Sequence, residues 1–146
     1  MGILADFFVA GPAEALRYAN RMEEPDEGEE IQGMLNPVEY KGITSLELGT
    51  LWAILEATEW DVKKHMPEDV FLGEEGESWL TRFPVELTTL LADAGDDDLA
   101  KASVRWAKTE ELDCAPEDLR PLLDDLRSLA LHAVSNGKSI YLWGSL

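Results

Sequence analysis

A chain of 146 residues carrying 30 Asp and Glu against 12 Lys and Arg has a formal charge of -18, so its field repels phosphate backbones and anionic lipid and favours cationic surfaces. Nucleic acid and membrane are thereby excluded as expected partners, and no stretch approaches the roughly 18 apolar residues of a membrane helix. Cys114 is the one cysteine, which precludes an intramolecular disulfide, and a 45% apolar share with five tryptophans is enough to build one acidic globular domain over residues 1–146.

Ile3 to Ala10 is rich in Ile, Phe and Val at both parities, which predicts a strand with little solvent-facing surface, ending at Gly11-Pro12. It lacks the basic flank of a secretory signal, and Asp6 stands where a myristoylation motif has Ser or Thr, so a cytoplasmic location is expected. Pro12 suits the first turn of a helix, and Ala15, Leu16, Ala19 and Met22 extend it at helical spacing. Glu23 to Glu30 then packs six acids into an octapeptide with Pro25 and Gly28 and no apolar periodicity, the pattern of a solvated loop.

After the Asn36-Pro37 turn, Val38 to Ile43 reads either as a short edge strand or as an extended connection. Thr44 and Glu47 stand in the capping-box relation, which starts a helix whose apolar stripe is Leu48, Leu51, Trp52, Leu55 and Thr58, widened by Ile54 to burial on more than one side. From Trp60 to Trp79 the chain is acidic and punctuated by Pro67, Gly73 and Gly76, so it is expected to be irregular apart from one helical turn.

Pro84 opens the next helix, where Leu87, Leu90, Leu91 and Ala94 keep a common face until Gly95 stops it. Asp96 to Asp98 place three carboxylates at the positive end of a further helix whose core residues are Leu99, Ala102 and Trp106. Pro116 to about Ser135 is the clearest element. Leu119, Leu122, Leu123, Leu126, Leu129, Ala130 and Ala133 fill its apolar stripe, and Asn136-Gly137 supplies a left-handed stop. Pro121 is tolerated in or just after the first turn, and Ser139 to Trp143 is a terminal strand. These elements predict an α+β fold, mainly helical, with four to five helices packed on a small sheet that pairs the N-terminal and C-terminal strands.

Candidate chemistry is sparse. Cys114, His65 and His132 do not share a zinc-type spacing, and a calcium loop starting at Asp93 or Asp96 has Val104 where a bidentate Glu belongs. No metal and no cofactor are expected. Cys114 lies just before a helix start, which lowers a thiol's pKa, yet no sequence feature brings a histidine to it, so a small buried packing residue is the favoured reading. His132 is expected to be hydrogen-bonded or solvent-facing, and His65, beside Lys63 and Lys64, reads as part of a surface loop. The adjacent pairs Glu110-Glu111 and Asp124-Asp125 point about 100° apart on a helix and are not natural dyads.

Charge is thus the dominant functional signal. Residues 1–80 hold 18 acids and 5 bases, a charge of -13, while the remainder holds 12 acids and 7 bases, a charge of -5. The leading expectation is a non-enzymatic interaction module, of the inhibitor, immunity-type or adaptor kind, for a basic protein partner. Its electrostatic contacts would be Glu23, Glu24, Asp26, Glu27, Glu29 and Glu30. Trp60 and Trp79 either line the interface or, as the favoured reading, anchor the acidic loop, whereas Trp52, Trp106 and Trp143 are assigned to the core. The alternative is an enzyme or small-ligand-binding domain with a site assembled from sequence-distant residues.

Overall fold

The computed structural model of the protein describes residues 3–23, 37–61, 63–73, 76–109 and 112–145. In chain order the elements are β1 (Leu4–Ala10), α1 (Pro12–Glu23), β2 (Val38–Lys41), α2 (Ser45–Glu56), β3 (Glu68–Leu72), β4 (Ser78–Arg82), α3 (Val85–Asp93), α4 (Asp96–Ala107), α5 (Pro116–Asn136) and β5 (Ser139–Ser145). Among the described residues, five helices pack on one five-stranded sheet of order β2-β1-β5-β4-β3. Every pairing is antiparallel.

The expected pairing of the first and last strands forms the centre of this sheet, with Leu4 opposite Ser145 and Ala10 opposite Ser139. Alternation along β1 then sorts its side chains between two faces. Ala5, Phe7 and Val9 join Ile140 and Leu142 of β5 in the larger core cluster, which is completed by residues of α2, α3, α4 and α5. Phe8 and Ala10 join Leu80, Tyr141 and Trp143 on the other face, under Ala15, Tyr18 and Ala19 of α1. Strands buried on both faces read as continuous apolar runs, which is why β1 and β5 are rich in aromatic and branched residues at both parities.

Local signals set most helix ends. Thr44 caps α2 by accepting from the Leu46 amide, and the Glu47 carboxylate accepts from the Thr44 amide at 3.0 Å. Gly137, at φ 64, closes α5 in the left-handed conformation that a glycine adopts without strain. Leu119, Leu122, Leu123, Leu126, Ala130 and Ala133 of α5 are buried as the stripe predicts. Pro121, the sixth residue of α5, falls just after the first turn and is exposed to water. Trp106 is fully buried and donates from Nε1 to the Glu47 carbonyl at 3.0 Å, tying α4 to the start of α2.

Several expectations need correction. Glu23, read as the first loop residue, is the last residue of α1, and Glu24, Asp26, Glu27, Glu29 and Glu30 lie outside the described residues. Thr58 is not on the α2 stripe, because Ala57 turns left-handed at φ 59 and ends the helix at Glu56. Val38 to Lys41 is a true edge strand. The segment from Trp60 to Trp79 is not irregular throughout: it contains β3 and the start of β4, paired from Glu68–Arg82 to Leu72–Trp79 with a bulge between Asp69 and Phe71. Such a bulge twists an edge strand and discourages further strand addition there.

Candidate functional site

The left-handed stop at Ala57 throws the chain off α2 into a tight loop that returns to β3. Within it the Asp61 carbonyl accepts from the amides of Lys64 at 3.1 Å and His65 at 2.7 Å. Contrary to the surface position expected from its lysine neighbours, His65 is only 1% exposed. Its Nδ1 accepts from the Asp61 amide at 2.9 Å, which leaves the ring proton on Nε2, 3.0 Å from Glu56 Oε1. The ring also stands edge-on to Trp52, with centroids 5.1 Å apart. Both nitrogens are therefore committed to holding the loop against α2, and neither is free to accept a substrate proton.

Glu56 completes this staple. Lys64 Nζ lies 2.8 Å from the oxygen that His65 contacts, and the two donors, Lys64 first, hold the Glu56 carboxyl down at about 2. Gly49 makes the close approach possible. A Cβ built there would sit 2.0 Å from the His65 carbonyl oxygen and 3.3 Å from Trp60 Nε1, so only a glycine lets the loop lie on α2. A lone glycine inside an apolar helical pattern is the sequence signal that could have revealed this contact.

The two tryptophans predicted as binding residues have separate fates. Trp79 is half-buried on the multi-helix face of the sheet, lying across its strand partner Gly144, where an added Cβ would meet its Nε1 at 2.2 Å. Trp60 stays 44% exposed, between the exposed residues Glu59 and Asp61, and Met66 is exposed to the same degree. Trp52, Trp106 and Trp143 are core residues, as their periodicity predicts.

Clefts open among the described residues of the helical layer and beside β2. A groove of about 380 Å³ between α2, α3 and α4 has an aliphatic floor that includes Ile54, Leu90 and Ala102, and a charged rim of Asp93, Asp98, Lys101 and Arg105. A second, of about 300 Å³, lies beside Tyr40, Lys41, Cys114 and Asp118. Cys114 is exposed rather than the buried packing residue expected, and its thiol is pushed up, not down, by desolvation and by Asp118 and Asp113. No histidine lines this cleft. Tyr40, partly buried, donates to Asp125 at 2.6 Å, and burial together with that carboxylate raises its hydroxyl pKa.

His132 is exposed near the end of α5, where Asn136 Nδ2 donates to its carbonyl at 2.8 Å and approaches its Nδ1 at 3.2 Å. Among the described residues, no three His, Cys, Asp or Glu side chains converge as metal ligands. Comparison of the chain with protein-family models, with curated proteins and with solved structures yields no match.

Proposed function

We propose that this chain is a non-enzymatic interaction module that engages a basic protein partner, acting as an inhibitor, immunity-type factor or adaptor does. The observation that carries the reading is the charge of -18, of which -13 falls within the first 80 residues. Support comes from the described part of that half, where Glu39, Glu59, Asp61, Glu68, Asp69 and Glu77 are all exposed. A field of one sign accelerates encounter with an oppositely charged surface and suppresses like-charged competitors.

The test is to capture partners on the immobilised chain, purify a basic one, and follow its association rate against salt. The rate is expected to fall steeply with ionic strength, and to fall again when Glu23, Glu24, Asp26, Glu27, Glu29 and Glu30 are replaced by Gln or Asn. An association indifferent to both changes assigns the charge to solubility and rejects the reading.

The groove between α2, α3 and α4 favours a second reading, a small-ligand-binding domain. Its volume of about 380 Å³ reaches the lower part of the range of ligand sites, about 300 to 1,000 Å³, and its rim offers Lys101 and Arg105 together with Asp93 and Asp98 to the polar groups of an apolar compound. Saturable binding of an anilinonaphthalene sulfonate probe, abolished with the fold intact by Leu90→Trp at a partly buried lining position, is the outcome that supports this rival.

A further inference from the structure

We infer that Trp60 is the anchor onto which the basic partner lays an arginine or lysine side chain, with the carboxylates of Glu59 and Asp61 beside it. The inference rests on the acidic-module reading and names the surface that reading uses. Exposure is its first ground. Trp52, Trp106 and Trp143 are 5%, 0% and 3% exposed, whereas Trp60 leaves 44% of its surface in water. Tryptophan is a side chain with much to gain from burial, and it is enriched at the centres of protein interfaces.

Rigidity is the second ground. Two bonds between Asp61 and His65, a third from the Lys64 amide to the Asp61 carbonyl, and the His65 and Lys64 contacts to Glu56 hold Asp61, Lys64 and His65 against α2 before any partner arrives. Trp60 is seated by one edge, its Nε1 lying 3.3 Å from the Cβ that Gly49 lacks. An anchor already held in place binds without the entropy loss of ordering a loop.

Charge complementarity identifies the occupant. An indole attracts a cation to its face, and a guanidinium both stacks on that face and donates in a fork to a carboxylate. Glu59 and Asp61 are the chain neighbours of Trp60, and both are exposed. Of the loop's two lysines, Lys64 is bonded to Glu56, which leaves the exposed Lys63 as the local opposing charge. Two carboxylates and an aromatic face against one ammonium favour a cationic side chain.

The experiment uses the ¹⁵N-labelled full chain and, as probe, a synthetic peptide of alternating arginine and glycine. The chain has five indole N–H resonances, and that of Trp60 is assigned by its loss in Trp60→Phe. It is expected to shift saturably and more than the other four. Trp60→Leu should weaken binding roughly tenfold, and Trp60→Phe, which keeps an aromatic face, by no more than about threefold. The citrulline version of the peptide, isosteric but neutral, should leave the resonance unmoved.

If the arginine peptide binds with salt sensitivity but Trp60→Leu binds it as the parent does, the anchor is wrong and the acidic-module reading stands. If the parent does not bind the peptide at all, both are wrong. Should Trp60→Leu disturb the fold, Trp60→Phe and Glu59→Gln carry the test, the latter expected to weaken binding about twofold by removing one exposed charge. Parent-like binding by both, with an unmoved Trp60 resonance, overturns the anchor.

Discussion

The layer formed by α4 and α5 and the segment from residue 57 to residue 82, which supplies β3 and β4, are held in place by different means. Leu99, Trp106, Leu122, Leu123 and Leu126 hold the helices through apolar area, each fully or almost fully buried side chain contributing about 1.5 to 3 kcal/mol. The 57–82 segment instead buries polar groups and satisfies them one by one. His65 is bonded to Asp61 and Glu56, and the buried Thr81 donates to Asp69 at 2.6 Å across the β3–β4 pair. Apolar packing tolerates small shifts. A polar staple does not, because a group that loses its partner keeps its desolvation cost.

The largest effect that would sharpen this contrast is expected in the helical layer. Leu126→Ala should lower the unfolding free energy by about 2 to 5 kcal/mol in urea titration, since the leucine is fully buried in the larger core cluster. A smaller but more diagnostic loss is expected from Gly49→Ala. In an ordinary helix interior that change stabilises by about 1 kcal/mol. Here the new Cβ would lie 2.0 Å from a backbone oxygen of the loop, so the sign should reverse to a loss of about 1 to 3 kcal/mol. A stabilised Gly49→Ala would show that the loop is not locked onto α2, and the comparison would break.

Tryptophan substitutions test the polar staples from the other direction. Trp106 donates to the Glu47 carbonyl, whereas the Trp52 indole N–H is buried without a hydrogen-bond partner among the described residues. Trp106→Phe should therefore cost about 1 kcal/mol more than Trp52→Phe in denaturant titrations run side by side. Equal losses would mean that the Trp106 bond contributes nothing beyond packing.

The smallest effect is on pH dependence. Glu56 titrates well below its ordinary 4.5 in the folded chain, at about 2. A depressed carboxylate adds stability that is fully present above the unfolded value and is lost as pH falls from about 4.5 towards 2. Glu56→Gln should flatten the stability profile across that window and leave its shape above pH 5 unchanged, which thermal unfolding in a buffer series would read. An unchanged acid limb would remove Glu56 from the staple.

How much could be read from residues alone follows the same division. The helical stripes of α4 and α5, the Thr44–Glu47 cap and the Gly137 stop were legible because each is a local pattern with a fixed period or offset. The β3–β4 hairpin was not, because its apolar alternation is broken on both faces. Ser78 and Thr81 are buried polar residues on opposite sides of β4, and exposed Glu68, Asp69 and Glu77 dilute the rest. His65 was misread since its partners are a backbone amide four residues earlier and a carboxylate nine residues earlier, neither of which leaves a mark in composition. Trp60 and Trp79 looked equivalent as sequence, and only the glycine opposite Trp79 in the neighbouring strand tells them apart.

Among the described residues, strand β5 joins the β2–β1 pair to the β4–β3 hairpin. During synthesis the two outer parts of the sheet must therefore wait, each with an open hydrogen-bonding edge, until β5, which follows both in the chain, leaves the ribosome and slots between them. The acidity of the earlier residues then has a second consequence, since mutual repulsion between nascent copies on one messenger opposes their edge-to-edge association during that delay.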